Sequence, residues 1–264
     1  MIQVALCPSE IRRISAMDLS GVTAVVFDIL RATSSIITGL ASGVEKIFPV
    51  GTVEAARNLK VNDADLLLAG ERGGLPLQGF DLGNSPDEFE KIKGRRVVMT
   101  TTNGTVAIES MKGASKVLIG SLLNMDAVAD YLFRHRPKSL LLVCAGTGDE
   151  FSLEDAIGAG ALVARLADDG LSDAAVFVRS LYERVGEDVE EWLRQTKNGK
   201  LLQKIGKDAD IKRCAQVSMF DVVGCLKGES VVRLAGRIRK IQEVQNHLSY
   251  RYRRFTLARF VDVR

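Results

Sequence analysis

The sequence predicts an α/β protein: a largely parallel sheet covered by helices, a helical C-terminal flank, and a basic tail. Three observations carry this. Short aliphatic runs alternate with amphipathic stretches along the first 166 residues. The runs are apolar throughout, as strands buried on both faces are. After Gly170 the strand signals stop and helical periodicity continues.

Taken in order, strands are predicted at residues 24–27, 47–50, 65–69, 96–99, 116–119 and 139–143. Helices are predicted between most of them, at 34–40, 53–59, 105–111 and 125–133, and after the last strand at 153–166. Each strand run is short and aliphatic, whereas each helical stretch is amphipathic. Glycines at 43, 51, 94, 113, 120 and 170 stand where helices should stop or strands begin. The flank is predicted as helices at 173–185, 189–195, 199–205 and 209–217.

Composition narrows the class further. The chain has 264 residues, of which 46% are hydrophobic and 26% charged, enough for one large soluble domain. No apolar stretch approaches the roughly 20 residues that span a bilayer. The opening "MIQVALCPSE" lacks the basic-then-apolar plan of a secretory signal. The four cysteines, Cys7, Cys144, Cys214 and Cys225, show no CxxC spacing, so reduced thiols in a cytoplasmic protein are expected, with no membrane contact. From Glu229 onward nine Lys/Arg face three acids, a balance of +6, leaving 27 bases and 30 acids before it, or −3. This asymmetry divides the chain into a body at 1–228 and a basic extension at 229–264.

In an open parallel sheet, ligands gather outside the carboxyl ends of the strands. Four of those ends are chemically loaded. The first, "VVFDILRATSS", places Asp28 and Arg31 beyond a core strand. A turn ion pair with Thr33 or Ser34 capping the next helix is one reading. The other makes Asp28 a metal ligand or nucleophile and Arg31 a fork-shaped clamp for phosphate. The second, "GERGGLPLQGFDLGNSP", repeats the theme with Glu71 and Arg72 and adds Asp81 and Asn84 in a glycine-rich segment. So long a loop in a compact domain is more often a binding loop than filler. The third, "TTTNGT", resembles an anion cradle built from Thr101, Thr102, Asn103 and a helix start. The fourth, "CAGTGDEFSLEDA", ends in a capping box, Ser152 with Asp155. Capping explains Asp155 fully and Glu154 partly. Hard oxygen ligands beside Cys144 are also what magnesium and its phosphate require. Cys144 itself reads as a nucleophile or as a buried strand-end thiol.

Several chemistries are excluded. Two histidines, His135 and His247, lie away from every loaded end, which argues against phosphohistidine and Ser-His-Asp mechanisms. Counting six positions from Cys144 lands on Glu150, not the arginine of a cysteine phosphatase loop. No Gly-Lys-Ser/Thr loop is present. Leu30 stands where an Asp-x-Asp phosphatase needs its second acid. Oxygen ligands for a hard divalent ion, arginines for an anion and a hydroxyl-lined pocket remain, a set suited to metal-assisted hydrolysis of a phosphate ester.

The segments "FDILRATSSIITGLASGVEKIFPV", "LLLAGERGGLPLQGFDLGNSPDEF", "VVMTTTNGTVAI", "IGSLLNMDAVA" and "VCAGTGDEFSLEDAIGAGAL" together resemble the 2-phosphosulfolactate phosphatase (ComB-like) family, in order from about Val22 to Gly170 and more weakly to about Lys227. The resemblance implies a layered α/β/α fold and a magnesium-dependent phosphatase that yields 3-sulfolactate in coenzyme M biosynthesis. It also implies self-association as a dimer. The matching positions are Asp28, Arg31, Thr33, Glu71, Arg72, Asp81, Asn84, Thr101, Thr102, Asn103, Cys144, Glu154 and Asp155. The expected division of labour puts Asp28, Glu71, Asp81, Glu154 and Asp155 on the metal. Asp28, Arg31, Glu71, Arg72 and Cys144 are the catalytic candidates, and Thr33, Asn84, Thr101, Thr102 and Asn103 the substrate-binding ones. The tail interleaves Tyr250, Tyr252 and Phe255 with arginines. It is read as a solvated or subunit-contacting extension, with nucleic-acid binding the lesser alternative.

Overall fold

A computed structural model describes residues 1–166 and 170–234. Among the described residues ten strands form one sheet in the order β1-β8-β2-β7-β9-β10-β3-β6-β4-β5. They are β1 (Ile2–Ala5), β2 (Val22–Phe27), β3 (Lys46–Pro49), β4 (Leu67–Arg72), β5 (Leu75–Pro76), β6 (Arg96–Thr100), β7 (Lys116–Gly120), β8 (Ser139–Cys144), β9 (Gly224–Lys227) and β10 (Ser230–Arg233). Strands β1, β8, β2 and β7 are parallel to one another, as are β3, β6 and β4. Between these blocks lies the antiparallel β9–β10 hairpin, pairing with β7 on one side and β3 on the other.

The helices are α1 (Pro8–Ser15), α2 (Ala32–Ser42), α3 (Val53–Asn62), α4 (Pro86–Glu90), α5 (Gly104–Ser110), α6 (Met125–His135), α7 (Leu153–Val163), α8 (Asp173–Val185), α9 (Val189–Gln195), α10 (Lys197–Lys204) and α11 (Asp208–Cys214). Alternate residues of β2 serve opposite faces. Ala24 and Val26 join a core with α1, α2 and α5, while Val25 and Phe27 join a core with α6, α7, α8 and the flank helices. Val98 of β6 likewise turns from the α2 side to a smaller cluster with Ala56 of α3. The result is the α/β/α layering expected, and it explains why the middle strands carry apolar residues on both faces.

Helix α2 shows how sequence and packing agree. Every residue from Ala32 to Leu40 is buried, so the helix carries apolar groups all round and its hydroxyls must find internal partners. Ser34 Oγ donates to Ile29 O at 2.8 Å, Ser35 Oγ to Asn84 O at 3.0 Å and Thr38 Oγ1 to Ser34 O at 2.9 Å. Gly43 closes the helix in the left-handed region, at φ 93°. Ile47 of β3, Val97 and Met99 of β6, and Ala24 and Val26 of β2 all pack into the core that contains α2. The two strand blocks therefore share this helix as their common filling.

One boundary falls later than expected. Strand β10 belongs to the sheet, so the first compact unit runs to Leu234, past the boundary expected at residue 228. The hairpin glycines frame two four-residue apolar strands too short to stand out in the sequence. The remaining basic extension, 235–264, lies outside the described residues. Among the described residues no helix is long and apolar enough to cross a membrane.

Candidate active site

Strand register brings the loaded ends together. Phe27 pairs with Cys144 and Gly120, so Asp28 and Ala145 leave the sheet side by side. Gly70 pairs with Thr100, so Glu71 emerges next to Thr101. The two blocks are stitched at their ends by Asn103. Its Nδ2 donates to Ala145 O at 3.0 Å and Gly148 O at 2.8 Å, and its Oδ1 accepts from Gly148 N at 3.0 Å. A cavity of about 160 Å³ opens at this junction, lined by Asp28, Arg31, Glu71, Asn84, Thr102 and Asn103 among others. A larger depression of about 280 Å³ around Glu187–Glu191 is an acidic surface. Its one arginine, Arg194, is already paired with Glu190 and Asp208.

Asp28 sits before α2 with Oδ1 accepting from Ala32 N at 3.0 Å. Thr33 fixes the turn by donating its hydroxyl to Asp28 O at 2.9 Å. Residue 104 must be glycine, because a Cβ there would collide with Asp28 Oδ2 and with Ala32. Burial, aided by the charges of Glu71 and Glu154, raises the Asp28 carboxyl to about 7, against the opposing pull of Ala32 N–H and Arg31.

Glu71 closes β4 and is held in place by the β4–β5 hairpin. Gly73 and Gly74, both at positive φ, form its two-residue turn. Gly74 N donates to Glu71 Oε2 at 2.8 Å, while Thr102 N and Oγ1 donate to Oε1 at 3.0 and 3.1 Å. An ionised carboxylate accepts about four hydrogen bonds. Glu71 therefore keeps capacity toward the cavity.

Arg31 follows the cis peptide bond Leu30–Arg31 and is almost fully buried. It lines the cavity, but two of its five N–H donors are committed, one to Asp210 of α11 and one to Gly74 O at 2.7 Å. Glu154 lies behind the cavity wall. Its Oε1 accepts from Asn198 Nδ2 at 2.6 Å, and that same amide donates to Thr147 Oγ1 at 2.7 Å. Burial raises the Glu154 carboxyl, partly offset by hydrogen bonds that include Asn198, Thr196 and Ser152.

Other sequence candidates serve the scaffold. Asp155 accepts at Oδ1 from Ile29 N at 2.8 Å and at Oδ2 from Gly146 N at 3.0 Å, so it clamps two strand-end loops and does not line the cavity. Burial first, then the Asp28 and Glu154 charges, push its carboxyl well above the usual range. Asp81 is exposed at the sheet margin, accepting from Leu68 N at 2.8 Å and lying 3.9 Å from Lys60 Nζ. Arg72 turns back on its own strand end, donating to Glu71 O and to Thr100. Thr101 exchanges hydrogen bonds with Thr105 to start α5. Cys144 is fully buried in the core, where desolvation drives its thiol pKa well above normal. None of these five lines the cavity, and neither does Thr33. Conversely, Asn198, Thr147 and the Leu201–Leu202 pair line it without having been expected. They come from a strand-end loop and from α10, where periodicity marks core packing and gives no sign of a ligand.

Among the described residues no three His, Cys, Asp or Glu side chains converge as a complete metal cage. Magnesium does not need one. It is commonly held by one or two carboxylates, with water and substrate phosphate completing the shell. Asp28 and Glu71 supply that number at the cavity, and their mutual repulsion there is what a cation would relieve.

A family model described as 2-phosphosulpholactate phosphatase matches residues 9–229. A protein of Thermotoga petrophila named probable 2-phosphosulfolactate phosphatase is 42% identical over 206 residues, covering 77% of this chain and 88% of the relative. Proteins of the same name from Carboxydothermus hydrogenoformans and Caldanaerobacter subterraneus are each 41% identical. The first match covers 75% of this chain and 84% of the relative, the second 81% and 91%.

Proposed function

The chain belongs to the 2-phosphosulfolactate phosphatase family and is a phosphoric monoester hydrolase, and on that premise we propose that it converts 2-phosphosulfolactate to 3-sulfolactate and phosphate with the help of magnesium. One observation carries this reading: Asp28, with its carboxyl raised to about 7, shares a cavity with Glu71 and Arg31 at the meeting point of two strand blocks.

Magnesium bound by Asp28 and Glu71 would polarise the phosphoryl group and offset its charge. The chain does the rest. Glu71 is oriented by Gly74 N and Thr102, so its side chain loses little freedom on binding. Asp28 presents Oδ2 over the gap left by Gly104, while Ala32 N holds Oδ1. In the metal-free site the Asp28 carboxyl lies near 7, and a bound cation would favour its ionised form, the form that takes a proton from water or attacks phosphorus itself. Rapid acid quench distinguishes the routes, since direct attack leaves phosphate on the protein. Arg31 is anchored at Asp210 and Gly74 O and turns its remaining donors to an anion. Leu30, Leu201 and Leu202 give the cavity an apolar side that limits water.

The proposal extends to a cytoplasmic location, in keeping with four free cysteines. It also extends to assembly as a homodimer and to a place in the sulfolactate and coenzyme M route. Phosphate release from a panel of esters, with magnesium and with EDTA, tests it. Release from 2-phosphosulfolactate that EDTA abolishes is expected. Release only from other esters, or undiminished by EDTA, would overturn the substrate or the metal respectively.

A further inference from the structure

The cavity contains one polar group that the protein leaves incomplete. Asn84 is 4% exposed, its Oδ1 is buried without a partner, and its carboxamide makes no hydrogen bond among the described residues. Buried amides are nearly always paired within the protein or by water or ligand. Asn84 is nevertheless well fixed. Its backbone oxygen accepts from Ser35 Oγ at 3.0 Å, and the next residue, Ser85, donates to Asp210 Oδ1 at 2.6 Å. That carboxylate is the one that holds Arg31, so Asn84 and Arg31 belong to a single braced wall. The orphaned atom is the amide oxygen, an acceptor, so Asn84 meets an anion only with its carboxamide turned over to present its N–H₂.

Acids and donors are thus divided between different parts of the site. Asp28 and Glu71 suit a cation and the phosphoryl group it accompanies. The substrate proposed above carries two further anions, a carboxylate and a sulfonate, and the second arginine of the loaded strand ends, Arg72, does not reach the cavity. We propose that Asn84 is the specificity-determining residue of this site: its unpartnered carboxamide, beside the free N–H groups of Arg31, receives the non-reacting anion of the substrate. This rests on the phosphatase reading.

The test is calorimetric binding to the full chain with magnesium present, comparing wild type, Asn84→Ala and Asn84→Asp. The probes are 3-sulfolactate, which carries both anions and no phosphate, and inorganic phosphate. The isosteric Asn84→Asp variant keeps the volume and replaces the donor with an acceptor, so it serves if the alanine variant folds poorly. A hydrogen bond to a charged group corresponds to roughly a tenfold or greater change in affinity. 3-Sulfolactate should therefore weaken about tenfold in Asn84→Ala and further in Asn84→Asp, with phosphate changed less than about twofold. Lactate and 2-hydroxyethanesulfonate, with one anion each, show which anion the amide takes, because only that probe weakens. In turnover, KM should rise while kcat stays within about threefold. Unchanged 3-sulfolactate affinity, equal loss for phosphate, or no 3-sulfolactate binding to wild type would each overturn the inference. Failure of the phosphatase reading is seen separately, as absent phosphate release by wild type.

Discussion

The Asp210 carboxylate on α11 holds the Arg31 guanidinium at the head of α2, 179 positions earlier in the chain, with both side chains almost wholly buried. The pair ties the helical flank to the cavity wall. Its second oxygen takes Ser85 Oγ, and Arg31 in turn takes Gly74 O beside Glu71. The flank therefore fixes the orientation of the one arginine that the cavity contains among the described residues.

Removing one member of a buried pair strands the other charge, whereas removing both does not. Asp210→Ala should lower unfolding free energy by about 3 kcal/mol in urea titrations. The double variant Arg31→Met with Asp210→Leu should recover most of that stability and remain inactive. Recovery of phosphate release together with stability would show that the pair has no part in the site.

The pH dependence follows from Asp28. Its carboxyl rises from 3.8 to about 7 on folding, so between those values the folded chain keeps a proton that the unfolded chain has released. Stability should fall as pH rises through this window and level off above about 7. Glu154 and Asp155, also raised, act in the same direction. In the metal-free protein, the stability difference between wild type and Asp28→Asn should shift by on the order of 4 kcal/mol between pH ~4 and ~8. A difference that is flat with pH would contradict the raised value.

Glu71 and Asp81 are both acids of the same glycine-rich segment, and they provide a paired control. Glu71→Gln should cut phosphate release by roughly 10²-fold or more. Asp81→Asn should change it less than about twofold, because its carboxylate binds Leu68 N at the sheet margin. Comparable losses in the two variants would deny that the cavity distinguishes them.

Cys144 should be dispensable for chemistry. Cys144→Ala is expected to retain phosphate release and to cost about 1–2 kcal/mol of stability from the buried volume removed. Alkylation with iodoacetamide should leave activity intact, since desolvation keeps the thiol protonated. Activity lost in a folded Cys144→Ala protein would restore the nucleophile reading.

The layered α/β body is legible in the sequence because its strands hold short apolar runs buried on both faces and its helices keep a clear period, as β2 and α6 show. The β9–β10 hairpin is not, since four-residue strands around "LKGES" give no period to count, and the charge change there imitates a boundary. At the site, strand ends point to Asp28 and Glu71. Sequence cannot separate them from Asp81, Arg72 and Asp155, because the direction of a loop side chain is set by hydrogen bonds formed after folding. Asn198 and Asp210 carry no signal: each sits on a flank helix whose pattern reports its packing, while its contacts lie 44 and 179 positions away.

The central claim is that Asp28 acts from this cavity on a phosphate ester. It is tested most directly by phosphate release from 2-phosphosulfolactate at saturating magnesium, wild type against a folded Asp28→Asn protein. A loss of roughly 10³-fold or more is predicted, since the variant keeps the Ala32 contact but can neither hold the cation nor take a proton. Release at the wild-type rate would contradict the account.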